Sequence, residues 1–363
     1  MERNKILTII IPTYNMENYL RKCLDSLIVS DEKMQMLEVL VINDGSKDSS
    51  SIIAHEYQEK YPQTYRVIDK ANGNYGSCIN RGLKEATGKY VKVLDADDYF
   101  DPSVLGQYLD FLFEQEVDMV ISDFNIVDEN GVCLSEFTFN LPMNKPFSLQ
   151  DIPDEMNTLL LHHSITYKRD VFERFAYKQT EGISYTDDEW IFKPTMWVDK
   201  VVYFPKTLYL YLRGREGQTF DSKVIERTLE QRVKVIKEML SFYKANIGKC
   251  RQENVSFVNE KMARRSFAIY YLFLIRFHTS ENTKKIKEFD LYLKSISPKM
   301  HDKINVLTNR LGWRYVKHWR GLHYSDYAPM LLALRFHEFI KRKTGKYNIV
   351  VDRIPDKLKR RDV

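Results

Sequence analysis

The chain lacks any apolar run approaching the ~20 residues that a membrane-spanning helix requires. Its longest candidate, residues 267–275, is bracketed by Arg264, Arg265 and Arg276 and fits a core helix. The first apolar run, residues 6–11, stops at Pro12. It is too short for the apolar region of a secretion signal and fits a first strand. Cysteine is scarce: Cys23, Cys78, Cys133 and Cys250 have no metal-type spacing and read as reduced, partly buried thiols of a cytosolic protein. Internal repeats and low-complexity tracts are absent.

What is present is ordinary in bulk and uneven in detail. The chain has 363 residues, 44% hydrophobic and 29% charged, a soluble globular composition. Single cores rarely grow past ~250–300 residues, so two domains are expected. Tyrosine (23) and phenylalanine (20) are abundant. Residues 301–363 carry 15 Lys and Arg against 6 Asp and Glu, leaving −4 of the total +5 on the rest. A basic end on a mildly acidic body suits attraction to a negative surface, with a solvated tail as the alternative.

Up to residue 125, strand and helix signals alternate. Strands are expected at 5–11, 37–42, 65–68, 90–94 and 118–122, with helices at 15–28, 49–61, 77–86 and 104–113. That alternation implies βαβ units and a largely parallel sheet, an α/β fold. Asn130-Gly131 marks a hairpin turn. Residues 201–204 and 208–212 read as two strands, and after about residue 220 the chain is helical. The domain boundary falls near 216–224, giving 1–220 (halves 1–125 and 126–220) and a helical, basic 221–363.

Chemistry-bearing residues gather at the strand ends. Residues 90–94 form a β-rich run that ends in Asp95-Ala96-Asp97-Asp98. Charge at the end of a buried strand is costly unless it is used, so Asp95 and Asp97 are candidates for a hard divalent cation. Asp101 before Pro102 is the expected helix cap. Tyr14 can stack on a base or sugar, and Asp44 in Asn43-Asp44-Gly45-Ser46 can accept from a ribose or base edge. The loop from Gly73 to Gly76 opens a helix whose backbone N–H groups suit a phosphate. Strand tips of one parallel sheet converge on one crevice. A second acidic cluster, Thr186-Asp187-Asp188-Glu189-Trp190, reads either as proton-transfer carboxylates or as a capping box from Thr186 to Glu189. His162 and His163, if extended, point to opposite sides, so joint ligation is not expected.

Together these motifs resemble the family 2 glycosyltransferases, with the GT-A nucleotide-diphosphosugar fold. The resemblance runs through Ile11-Pro12-Thr13-Tyr14-Asn15, residues 41–48, residues 80–90 and Asp95-Ala96-Asp97-Asp98-Tyr99. It implies an inverting transfer from a nucleotide-diphosphosugar, usually a UDP-sugar, to a sugar, glycolipid or polyol hydroxyl, with Mn²⁺ or Mg²⁺. By that resemblance Pro12, Thr13 and Tyr14 line the nucleoside pocket and Asp44 contacts uracil or ribose. Gly73, Asn80 and Ala96 belong to the donor site, Asp95 meets the ribose, Asp97 holds the metal, and Asp98 supports the loop. Asp188 is the implied general base with Asp187 beside it, and Arg213 or Arg215 grips the diphosphate. Where many family members read Ala-Arg-Asn, this chain has Cys78-Ile79-Asn80, and Lys70 is the candidate replacement for the missing cation.

Three other readings compete. A nucleotidyltransferase would want a basic phosphate loop, but residues 12–18 hold no Lys or Arg. A non-catalytic nucleotide-sugar binder would not need both acidic clusters, and a nucleic-acid binder would explain the basic tail but not the acidic crevice. The resemblance also implies a cytoplasmic location at the inner membrane face; oligomeric state is not legible.

Overall fold

A computed structural model describes residues 5–143, 145–214 and 222–343. Its centre is one mixed sheet. The strands are β1 (Leu7–Thr13), β2 (Leu37–Asn43), β3 (Tyr65–Asp69), β4 (Tyr90–Val93), β5 (Tyr99–Phe100), β6 (Met119–Val127), β7 (Cys133–Phe137), β8 (Ile165–Lys168) and β9 (Val201–Leu212). They lie in the order β3-β2-β1-β4-β8-β6-β9-β5, with β7 on β6. β1 to β4 pair in parallel, β6 and β9 run with them, and β8 is reversed between β4 and β6. β2 is buried throughout and β1 is buried except at Pro12, as expected of parallel strands covered on both faces.

Register sets the crevice. Thr13 pairs with Asn43, and Asn43 with Asp69, so three strands end level. β4 pairs Val93 with Ile10, and Asp95 emerges two residues later beside those ends.

Two expectations for the sheet are corrected. Residues 201–204 and 208–212 are one strand, parallel to β6. Its register jumps from Ser122↔Phe204 to Asp123↔Thr207, so Pro205 and Lys206 bulge outward, exposed, without ending the strand. Likewise β6 runs unbroken through Asp123, which is buried and accepts from Tyr203 Oη at 2.7 Å. The expected hairpin is present, with Gly131 at φ +82°. Of the expected boundary at 216–224, residues 216–221 lie outside the described residues, and 222–224 open the helix Ser222–Arg227. Two apolar cores stand on either side of it: one under the sheet, one among the helices. Ile183, Phe192 and Met196 join the helical core although they precede the boundary, and Phe257, which follows it, joins the core under the sheet.

Candidate active site

The first wall of the crevice is built on Asp44. Its carboxylate accepts from Lys70 Nζ and from the Gly73 N–H at 2.9 Å, while Lys70 also donates to Ser77 Oγ at 2.8 Å. Asn72 Nδ2 donates to the Asp44 carbonyl at 3.0 Å. Gly45 permits this closeness: its φ is +74°, and a Cβ there would meet Asn72 N and Lys70 O at 3.3 Å. Thr13 is buried beside it, and Tyr14 stands 45% exposed at the rim.

Asp95 to Asp98 form the floor. Burial alternates along the turn: Asp95 and Asp97 are partly exposed, Ala96 and Asp98 buried. Asp98 points inward, accepting from Tyr209 Oη at 2.6 Å and the Leu212 N–H at 2.8 Å. Burial and the charges of Asp97 and Asp95 push its carboxyl well above the usual range. Asp95 accepts from Tyr75 Oη at 3.0 Å and lies 3.1 Å from His162 Nε2.

The histidines depart from the expectation. Residues 162–164 form a 3₁₀ turn rather than an extended chain, so both rings fall on one side, 3.9 Å apart. Burial alone would depress the His162 imidazole; the Asp95 carboxylate, by charge and hydrogen bond, holds it above the ordinary histidine value. His163 stacks on Tyr211 at 4.4 Å, and burial with the charges of His162 and Lys92 pushes it well below that value. Its Nδ1 is buried with no hydrogen-bond partner. Ligand atoms of Asp95, His162 and His163 lie within 4.8 Å of one another.

The second acidic cluster opens the helix Asp187–Phe192, which packs on the 162–164 turn. The capping box did not form. Thr186 makes no side-chain cap, its Oγ1 accepting from Gln179 Nε2 instead, and buried Glu189 reaches the Thr180 N–H at 2.6 Å, Thr180 Oγ1 at 2.7 Å and Lys193 Nζ at 3.2 Å. Asp188 turns to Arg265 Nη2 at 3.0 Å. Burial, with the charges of Asp188 and Asp95, raises the Asp187 carboxyl against the opposing pull of His162 and Arg265. Gly76 closes the gap between the two halves: a Cβ there would lie 2.0 Å from Thr180 O.

One expected residue is not brought here. Asn80 spends its amide on the 179–181 loop, at 2.8 Å from Gln179 N, 2.9 Å from Gln179 O and 2.7 Å from Glu181 Oε1. It lines a cleft with Leu83, Lys84, Arg169 and Phe172, two turns along the helix from Gly73. Arg215 lies outside the described residues. Arg213 follows β9, its guanidinium over the Tyr211 ring at 5.9 Å and its pKa lowered by burial. Sequence reasoning missed Tyr75, Tyr209 and Arg265. Tyr75 sits inside the glycine loop already singled out, and Tyr209 alternates with Tyr211 on β9; Arg265 carried no signal.

Residues 8–175 match the model of glycosyl transferase family 2. An uncharacterized glycosyltransferase of Mycoplasma genitalium, MG025, is 43% identical over 102 residues, 28% of this chain and 34% of that protein. The minor teichoic acid biosynthesis protein GgaB of Bacillus subtilis is 30% identical over 180 residues, 48% of this chain and 19% of that protein. The matched stretches thus span about a third or less of those two relatives. In fold, the chain is similar to S. aureus TarS residues 1–349, solved with UDP-GlcNAc, at a TM-score of 0.68 and 19% identity, covering 94% of this chain and 93% of that one. Strand order, acidic strand tip and family match agree: residues 8–175 are a glycosyl transferase family 2 segment, in a chain with the GT-A fold.

Proposed function

We propose that this crevice transfers a sugar, with inversion, from a UDP-sugar to a hydroxyl of a surface polysaccharide or glycolipid acceptor. The observation that carries the reading is the packing of the Asp187–Phe192 helix on the turn that bears His162, beside Asp95. It sets a carboxylate with a raised pKa next to the strand tip where the family holds the donor. In this reading Pro12, Thr13 and Tyr14 cradle the nucleoside, Asp44, held by the Gly73 N–H, meets base or ribose, and Asp95 and Ala96 meet the ribose. Arg213 faces the diphosphate. Residues 1–220 are the catalytic unit and 221–363 an accessory region.

Asp187, rather than Asp188, is the better base, because Asp188 is engaged with Arg265. The acceptor oxygen attacks the anomeric carbon as the bond from that carbon to the diphosphate oxygen breaks. Asp187 takes the hydroxyl proton, and the nucleoside diphosphate leaves with the bonding pair. One displacement inverts the centre.

The donor set fits a divalent cation: the Asp95 carboxylate with the imidazoles of His162 and His163, whose Nδ1 is orphaned, suits Mn²⁺ better than Mg²⁺. Asp95, His162 and His163, with Asp97 on the same turn, are the residues that would hold it. Bound there, the cation would neutralise charge on the departing diphosphate. The teichoic acid relative and the basic C-terminal sequence support a place at the cytoplasmic membrane face. No helix among the described residues is long and apolar enough to cross a membrane.

The deciding experiment is a thermal-shift panel of nucleotide sugars with and without Mn²⁺. A ligand at 100 times its Kd adds about 2.7 kcal/mol, a readily measured shift. A Mn²⁺-dependent shift with UDP-sugars is expected; a flat panel would sink the proposal.

A further inference from the structure

The helix Pro329–Lys343 has two unlike faces. Its inner face is fixed: Leu331 and Leu334 are buried in the helical core, Arg335 donates to Leu274 O at 2.8 Å and Asp326 O at 2.7 Å, and Glu338 accepts from Tyr271 Oη at 2.6 Å. The outer face is apolar. Leu332 is 47% exposed, Phe336 66%, Phe339 55% and Ile340 43%, at positions that share one side of a helix. Tyr327, just before the helix, is 81% exposed. The docking of the inner face leaves the helix no freedom to turn this stripe inward.

The sequence directly after the stripe is basic. Residues 341–363 hold nine Lys and Arg against three Asp. An exposed stripe of Leu, Phe and Ile joined to a polybasic segment is the pattern of a helix lying in a membrane interface. Charge decides between occupants. A second copy would bring the same basic segment against itself, and one stripe on a 15-residue helix is small beside the ~800 Å² per partner of a stable protein interface. Anionic lipid headgroups complement the charge, and the acyl boundary takes the rings.

We propose that the outer face of helix Pro329–Lys343 is a docking surface for an anionic lipid bilayer, lying in the plane of the interface. It gives the proposed membrane-face localisation, on which it rests, a named surface, and it does not depend on the donor chemistry.

The test uses the full chain, sedimented with vesicles of phosphatidylcholine alone or mixed with phosphatidylglycerol. Binding to the mixed vesicles is expected, weakened by salt. The double substitution Leu332→Ser with Phe336→Ser should lower it at least ~10-fold, since each removes a large apolar side chain from the acyl boundary. An unchanged melting temperature and an unchanged UDP-sugar thermal shift in that variant keep folding and donor binding separate from the result. Equal vesicle binding by parent and variant would overturn the proposal, as would no binding by the parent. So would a dimer of the parent that the double substitution dissolves while vesicle binding stays absent.

Discussion

Arg265, on the helix Val255–Tyr271, holds the carboxylate of Asp188 at 3.0 Å across the boundary between the two cores. One turn earlier, Lys261 donates to Asn157 O at 2.7 Å and Leu160 O at 2.8 Å, and Asn157 Nδ2 donates back to Phe257 O at 3.0 Å. The same helix therefore pins both the acidic pair and the segment leading to His162. The helical region works here as a buttress of the site. Arg265→Ala should lower kcat by about 10-fold, about 1.4 kcal/mol, with donor affinity nearly unchanged. Arg265→Lys should recover part of that. Loss of donor binding with kcat intact would contradict a positioning role.

The two aspartates are separable. Asp187→Asn should cut transfer by ~10²–10⁴, the usual weight of a general base, while keeping the donor thermal shift. Asp188→Asn should behave like Arg265→Ala. Because burial raises the Asp187 carboxyl, the acid limb of kcat/KM should lie above the ordinary aspartate range, with activity lost as pH falls through it. If instead Asp187→Asn is the nearly silent variant and Asp188→Asn abolishes transfer, the base is Asp188.

Much of this site was legible because strand ends are written locally. An apolar run that stops in Asp95-Ala96-Asp97-Asp98 announces a parallel strand and its functional tip, and the turn at Gly45 is announced by the Asn-Asp-Gly-Ser string. The failures have a common cause. Whether 201–212 is one strand or two depends on a bulge opposite β6. The side on which His162 and His163 fall depends on a 3₁₀ turn that their spacing does not encode. Arg265 reaches Asp188 only through the packing of helices, which periodicity places on a core but does not aim at a partner.

Glu189 illustrates a residue whose role changed from cap to keystone. Fully buried, it joins the Thr180 loop to Lys193 through three contacts. Glu189→Ala leaves the Lys193 ammonium and the Thr180 N–H without their carboxylate. Removing one member of a buried pair costs about 3–5 kcal/mol. Urea unfolding should show a loss of that order with an unchanged slope. A loss under about 1 kcal/mol would mean that the contacts are replaceable, as at an exposed pair.

Lys92 yields the pH-dependent case. It sits on β4 with no exposed surface, donating to His163 O at 2.7 Å and Ile165 O at 3.2 Å, with the Tyr209 ring 5.7 Å away. Burial pushes its ammonium down to about 7, whereas the unfolded chain keeps a lysine near ~10.4. Between those values the unfolded state binds more protons, so this residue's contribution to stability rises with pH. Below about 7 both states are protonated and the full cost of burying the charge is present. Every tenfold loss of proton affinity on folding is worth about 1.4 kcal/mol, so the cost reaches a few kcal/mol. Lys92→Met removes it while keeping the volume. The variant's melting temperature relative to the parent should be highest near about pH 6 and fall steadily toward about pH 10, across the window in which only the folded lysine is neutral. A difference that stays constant over that range would show that Lys92 does not titrate in the folded chain.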